Sequence, residues 1–247
     1  MRPRDDRDRR ARPAGPDQRH GAGAGLRGGL DGDLRGLRVG VPTTYFSDDA
    51  DAPVLEAVEA AVAVLAARGA TVVRLPLPLM DAVSAYVAVV SRVEGATIHA
   101  QWMRDRPADY AVHLSARLYG GNAIPGTYYV EALSRRGPVL RAFATEVFGQ
   151  VDVLATPTIR TCLPTLEATD IDRGPPGTEH TFMAVSANTR PFNYLGLPAI
   201  SVPCGFDPNG CPIGLQIAGR PFAEARLLKV ADAYQRDTDW HARRPVL

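Results

Sequence analysis

The sequence predicts an α/β protein in which a mixed β-sheet is covered by helices. Three observations support this fold class: an early strand–helix–strand pattern, a long helical stretch in mid-chain, and two late strands joined by a tight turn. They occupy residues 34–75, 80–148 and 199–217. At 247 residues, of which 45% are hydrophobic, the chain is long enough to build a packed core.

The first predicted unit is a βαβ crossover. Residues 34–42 form a short β run that ends at a proline, and residues 53–68 carry apolar side chains at helical spacing before Gly69. A second β run follows at 71–75. Because a crossover of about this length joins parallel strands, we expect these two strands to pair in parallel.

The middle of the chain predicts a helical layer over the sheet. The helical pattern of residues 80–148 is interrupted at Pro107, at Gly120–Gly121 and near Pro125, and we expect a kink at Gly137–Pro138. After this layer the sequence again predicts strands. The remaining predicted elements are a buried strand at 151–155, a long loop at 157–180, a hairpin of 199–203 with 213–217 around Asp207-Pro208-Asn209-Gly210, and a last helix at 222–236.

Charge and composition narrow the class of protein. The formal net charge is +1, and the first twenty residues hold seven Arg and four Asp, so no basic face for nucleic acid is expected. Three scattered cysteines favour a reducing cytoplasm, and no apolar stretch is long enough to predict a membrane span or a signal peptide. We interpret residues 1–29 as a disordered or non-native leader and 30–247 as the folded part.

The residues alone identify no nucleophile. No serine stands in a Gly-x-Ser-x-Gly elbow, and Cys204 and Cys211 have no histidine nearby in sequence. His99 follows Glu94 by five residues in a helical stretch, where a solvated or hydrogen-bonded structural pair and an acid–base pair both stay open. No phosphate-binding loop or metal-ligand spacing is present in the sequence, and we expect no cofactor and no metal.

An ordered series of segments resembles the C-terminal half of the amidase signature family. These segments are VDVLATPT at 151–158, NYLGLPAISVP at 193–203, PIGLQI at 212–217 and LDGDLRGLRVGVP at 30–42. The family includes the amidase component of glutamyl-tRNA amidotransferase, allophanate hydrolases and broad-specificity amidases. The resemblance covers about residues 30–247 and implies a partial amidase-signature fold, with a small-molecule amide as the family's substrate.

The resemblance also implies a mechanism whose residues have no match here. In the family a serine attacks the amide carbonyl, and a second serine in a cis peptide and a neutral lysine remove its proton. These residues belong to a Gly/Ser-rich segment and a lysine in the family's first half. The only lysine here is Lys229, in a helical context, so we assign no catalytic residue to this chain.

The resemblance implies that this chain forms one wall of the acyl pocket, the pocket that holds the acyl part of the substrate. It implies that a strand end and the segment before Gly196 approach the substrate, and that glutamine-using members carry an acidic residue at the position of Ser186. The implied substrate-binding residues are Thr156, Pro157, Thr158, Ser186, Thr189 and Asn193. We therefore expect a chain that is inactive alone, either a truncated or frame-shifted amidase or, as the alternative, a noncatalytic binding module or the complementing partner of a separate N-terminal amidase half.

Overall fold

A computed structural model describes residues 29–244, which form five strands and seven α-helices. The predicted leader at 1–29 lies outside this range except for Gly29. No helix in the described range is both long and apolar enough to cross a membrane. In chain order the elements are β1 (Arg38–Pro42), α1 (Ala52–Ala67), β2 (Thr71–Leu75), α2 (Met80–Asp105), α3 (Val112–Asn122), α4 (Gly126–Glu146), β3 (Val153–Pro157), α5 (Thr178–Ala184), α6 (Arg190–Leu195), β4 (Ala199–Phe206), β5 (Pro212–Gly219) and α7 (Glu224–Gln235).

The predicted βαβ unit is confirmed. β1 and β2 pair in parallel with Arg38 opposite Thr71, and α1 connects them. Gly69 has a φ of +96°, a left-handed conformation that favours glycine and lets the chain turn from the helix into β2. β1 starts at Arg38, later than the predicted start at Leu34. Leu34 is buried in the core but lies outside the strand.

The sheet is mixed, as predicted, and its strand order is β2-β1-β3-β5-β4. β3 is parallel to β1, whereas β5 runs antiparallel to both β3 and β4. The expected hairpin of β4 and β5 forms, and its turn is held by Asp207, whose Oδ1 accepts hydrogen bonds from the backbone N–H groups of Asn209 (2.8 Å) and Cys211 (2.9 Å). Because β5 is antiparallel to both β3 and β4, β4 runs in the same direction as β1 and β3. The carboxyl ends of β1, β3 and β4 therefore lie at the same edge of the sheet.

Two apolar clusters cover the two faces of the sheet. On one face α1 and α7 pack against alternate residues of the strands, such as Val153 and Ile217. On the other face α2, α4 and α6 contribute to a second cluster that includes Leu154 and Ala218. Neighbouring residues of a strand point to opposite faces. Only the strand residues that share the face of Leu154 and Ala218 can therefore point toward a site on the side of α2, α4 and α6.

The long loop differs in detail from the prediction, since residues 158–177 connect β3 to α5. α4 includes Gly137 and Pro138, where the sequence predicts a kink. The sequence did not predict α5 and α6, because helices of seven and six residues are too short to show a periodic apolar pattern.

Candidate functional site

A row of hydroxyl and amide groups crosses β3, β5 and β4 on the face covered by α2, α4 and α6. The buried Thr156 Oγ1 accepts a hydrogen bond from Gln216 Nε2 at 3.0 Å. Just beyond the end of β3, Thr158 Oγ1 lies 2.6 Å from Ser201 Oγ. Cross-strand pairing of Gln216 with both Thr156 and Ser201 places these side chains on the same face. We call these four residues the polar row.

Gly214 makes the close approach of two hydroxyls in the polar row feasible. Its carbonyl accepts a hydrogen bond from Thr158 N at 2.8 Å. A Cβ atom at this position would lie 2.7 Å from both Ser201 Oγ and Thr158 Oγ1, which is closer than van der Waals contact allows. The glycine of the PIGLQI segment thus leaves room for the hydroxyl pair.

Asn188 joins three chain segments beneath the polar row. Its side chain is 1% exposed, and its Nδ2 donates to Pro157 O (2.9 Å) and Phe46 O (3.2 Å). Its Oδ1 accepts from Arg160 Nη2 at 2.7 Å and Nε at 3.1 Å, and its backbone carbonyl accepts from Gln216 Nε2 at 3.2 Å. The segment after β1, the end of β3 and the segment before α6 are therefore held together by one buried amide.

The six residues implied by the resemblance fall into two groups. Thr156, Pro157 and Thr158 end β3 at the polar row, and the first two are buried. The other three residues lie before and within α6. Ser186 Oγ accepts from Arg190 Nη2 at 2.7 Å, and Thr189 Oγ1 donates to Ser186 O at 3.0 Å. Asn193 is exposed on α6, and its side-chain amide has no hydrogen-bond partner among residues 29–244.

The sequence did not identify three residues of this site, which are Asn188, Ser201 and Gln216. Gln216 and Ser201 alternate with apolar residues in the two hairpin strands, and that alternation is the signal that would have assigned them to one face. Asn188 lies in a short polar stretch of no regular pattern. Its role depends on contacts across 142 residues to Phe46, which no local pattern reveals.

The structure separates the Glu94 and His99 side chains. His99 Nδ1 lies 2.8 Å from the hydroxyl of Tyr110, and Glu94 Oε1 accepts a hydrogen bond from the hydroxyl of Tyr129 at 3.1 Å. Each side chain therefore bonds to a different tyrosine, and the two do not form the hydrogen-bonded structural pair that the sequence left open. An acid–base pair of these two residues has no support in this geometry.

Cys162, Cys204 and Lys229 are placed unfavourably for nucleophilic chemistry. Burial raises the pKa of the Cys204 thiol to about 12, and burial followed by Asp51 raises the pKa of Cys162. These thiols stay protonated near neutral pH, whereas the thiolate is the reactive form. Lys229 lies on α7, which packs on the opposite face of the sheet, and its Nζ is 3.1 Å from Asp31 Oδ1. Within residues 29–244 no cluster of His, Cys, Asp and Glu could hold a metal ion.

Comparison with known proteins shows the family of the chain. A family model described as Amidase matches residues 15–228. The chain belongs to the amidase family. A glutamyl-tRNA(Gln) amidotransferase protein of Chloroflexus aggregans is 36% identical in an alignment 262 residues long. The alignment covers 95% of this chain and 52% of that protein. An amidase of Pseudomonas putida is 33% identical over 221 residues, which cover 89% of this chain and 47% of that protein.

Solved protein structures share the fold of this chain. A 6-aminohexanoate cyclic dimer hydrolase with bound substrate superposes with a TM-score of 0.77 at 24% identity, over 91% of this chain and 50% of that one. A glutamyl-tRNA(Gln) amidotransferase protein of Thermotoga maritima superposes with a TM-score of 0.65 at 28% identity, over 85% of this chain and 44% of that one. This amidase-family chain spans about half the length of the curated relatives that it matches.

Proposed function

We propose that the chain forms one wall of the acyl pocket of an amidase and that the catalytic Ser, cis-Ser and Lys lie on a segment outside this sequence. In the reaction the serine oxygen bonds to the amide carbonyl carbon, the C–N bond breaks, and the leaving amine takes the serine's proton. Water then splits the acyl ester to give a carboxylic acid and the free serine. The free cysteines are consistent with an enzyme that acts in the cytoplasm.

The observation that carries this proposal is the polar row at the shared edge of the sheet. Thr158, Ser201 and Gln216 belong to the segments that resemble the family, and their hydroxyl and amide groups lie side by side on one face. Oriented hydrogen-bonding groups of this kind hold a substrate in position for attack. The separation of Glu94 from His99 argues against an acid–base pair of these residues, and the high pKa of Cys204 argues against that thiol as the nucleophile.

Two arms of one experiment test the proposal. The purified chain is assayed on aliphatic and aryl amides, alone and mixed with the segment of the Pseudomonas putida amidase that carries the Gly/Ser-rich stretch and the lysine. We expect turnover from the mixture and none from the chain alone. Turnover by the chain alone would refute the proposal, and a stable but inactive complex would favour the noncatalytic binding module.

A matched pair of variants locates the pocket wall. Thr158→Val removes the hydroxyl at nearly constant shape, and we expect kcat/KM of the mixture to fall by about tenfold, equivalent to one lost hydrogen bond of about 1.4 kcal/mol. Thr127→Val, at an exposed position of α4, serves as the control and should leave kcat/KM unchanged. Equal activities of the two variants would remove Thr158 from the pocket.

A further inference from the structure

The connection between β3 and α5 is tied to the start of α3 by a single carboxylate. Asp172 Oδ1 accepts a hydrogen bond from the backbone N–H of His113 at 3.1 Å. Asp172 Oδ2 lies 3.1 Å from Nδ1 of the same histidine. His113 is the second residue of α3, so its N–H has no acceptor within the helix. One side chain of the connection thus contacts both the backbone and the ring of a helical residue.

Residues 164–177 of this connection, which we call the flap, have few other contacts that hold them to the rest of the chain. None of them is buried, and Leu166 is 91% exposed. Among the described residues, their other hydrogen bonds stay within residues 164–181. A segment with few buried contacts opens at a small cost in free energy. The contact between Asp172 and His113 is therefore the polar link that holds the flap against α3.

The flap forms one wall of a cavity of about 590 Å³. Ile171 and Asp172 line this cavity from the flap, and His113 and Arg117 line it from α3. Phe182 of α5 also lines it, and its ring meets the ring of His113 edge-on, with the centroids 6.2 Å apart. Release of the flap would remove Ile171 and Asp172 from this wall and open the cavity to solvent.

The contact to the histidine ring depends on the charge of His113. Its Nδ1 is buried and makes no well-aligned hydrogen bond among residues 29–244, although Asp172 Oδ2 is 3.1 Å away. The two side chains therefore interact mainly by Coulomb attraction, which requires a protonated imidazole. Imidazoles gain their charge as the pH falls from about 8 to about 5, a range in which carboxylates stay ionised.

Other charged side chains face the same cavity and modify this attraction. Glu179 of α5 attracts a protonated ring, whereas Arg117 of α3 and Arg92 of α2 repel it. Arg173 adds a further positive charge next to Asp172 in the flap. The Asp172 carboxylate is the charge that lies 3.1 Å from the ring, and both side chains of this pair are 34% exposed. Since solvent screens a pair of this exposure, we expect pH to change the opening of the flap by a few-fold only.

We infer that residues 164–177 are a mobile flap over this cavity and that Asp172 and His113 form its pH-sensitive latch. Protonated His113 holds the flap closed at mildly acidic pH. As the pH rises through the range in which imidazoles lose their proton, the Coulomb attraction is lost, the backbone hydrogen bond remains, and the flap opens more often. Protonation of the carboxylate below about pH 4 would release the latch as well. The inference goes beyond the proposed function, because it concerns access to a cavity and requires no catalysis.

Hydrogen–deuterium exchange of the purified chain at about pH 5.5 and about pH 7.5 measures the opening of the flap. Exchange in residues 164–177 is followed by mass spectrometry. It is divided at each pH by the exchange rate of an unstructured peptide of the same sequence, which removes the intrinsic effect of pH on exchange. When reclosing is fast, this ratio reports the fraction of time that the flap is open. We expect the ratio of the wild-type chain to be about threefold higher at the higher pH.

Substitutions on both sides of the latch connect this difference to its charge. His113→Gln keeps a polar side chain without a charge and should give the higher ratio at both pH values. His113→Lys is charged at both pH values and should give the lower ratio at both. Asp172→Asn, at an exposed position of the flap, should behave as His113→Gln does and decides the question if His113→Gln fails to fold. His180→Gln, at an exposed position of α5, is the control and should keep the difference between the two pH values.

Four outcomes would overturn the inference. They are a wild-type ratio that does not change with pH, a pH difference that survives in both His113→Gln and Asp172→Asn, a His113→Lys variant that exchanges as fast as His113→Gln, and a pH difference that disappears in His180→Gln. Because exchange is measured on the chain without substrate, these outcomes are independent of whether the mixture with the Pseudomonas putida segment hydrolyses amides. A latch that responds to pH in a chain that gives no turnover in the mixture would keep the flap and refute only the amidase proposal.

Discussion

At the scale of single residues, Asn188 illustrates how the candidate site is kept in shape. A buried amide satisfies two backbone carbonyls, Pro157 O and Phe46 O, and it positions the guanidinium of Arg160. Leaving buried polar groups without partners costs about 1–3 kcal/mol each. The resemblance identified Thr156 and Thr158 because they stand in a recognisable segment. Asn188 could not be predicted, since its partners are assembled only by the tertiary fold.

We therefore expect Asn188→Ala to lower the free energy of unfolding by about 2 kcal/mol, mainly because two carbonyl groups lose their donors. The measurement is urea unfolding followed by circular dichroism. Asn122→Ala, at an exposed position of α3, is the control and should change stability by less than about 0.5 kcal/mol. Equal losses in the two variants would show that Asn188 does not brace the site.

At the scale of secondary-structure elements, an ion pair fixes the start of β1 beside β3. Asp152 Oδ2 accepts from the backbone N–H of Arg38 at 2.9 Å, and its Oδ1 accepts from Arg38 Nη2 at 3.1 Å. Hydrogen bonding from Arg38 lowers the pKa of the Asp152 carboxyl from its usual value of 3.8. The charged form is thus favoured in the folded state, so its stabilising effect is present above pH 3.8 and is lost as the pH falls through the lowered pKa.

Asp152→Asn should lower stability by about 1 kcal/mol near pH 7, and the loss should shrink as the pH falls below 3.8 and through the lowered pKa of the carboxyl. Urea unfolding near pH 7 and at a series of acidic pH values measures this difference. Glu59→Gln breaks an exposed pair with Arg74 and is the control, with an expected loss of a few tenths of a kcal/mol. A constant Asp152→Asn difference across pH would contradict the argument.

For secondary-structure elements, local sequence patterns predict some of the strand pairings and not others. The parallel pairing of β1 with β2 and the β4–β5 hairpin follow from crossover length and turn residues, and both are confirmed. The insertion of β5 between β3 and β4 does not follow from any local pattern, because the strands that pair, β3 and β5, are separated by about 60 residues. The site depends on this non-local pairing, which brings Gln216 next to Thr156.

At the scale of the whole molecule, the helical layer exposes apolar side chains. Large apolar residues with at least 48% exposure occur on three helices, α2, α3 and α4, of which α2 contacts both of the others. They are Ile98, Trp102, Val112, Tyr119, Tyr128 and Val130. Apolar surface that a partner would cover is a common cause of self-association when that partner is missing.

We expect the isolated chain to self-associate in a concentration-dependent manner, measurable by sedimentation velocity. Val130→Lys, at a position with 65% exposure, should weaken the association, whereas Ser134→Lys on the same helix adds the same charge at a polar site and is the control. A monodisperse, cooperatively melting wild-type monomer would contradict this expectation.

The position of β4 at the end of the sheet has a consequence for the exchange of backbone hydrogens with solvent. β5 is paired on both sides, whereas β4 has β5 as its only neighbour in the described chain. Amide hydrogens that β4 directs away from β5 should therefore exchange quickly, while those shared by β3 and β5 should be protected. A second polypeptide that extended the sheet would slow the fast set selectively. Deuterium uptake in residues 199–206 would then report whether a partner pairs with this strand, even where no activity is measured.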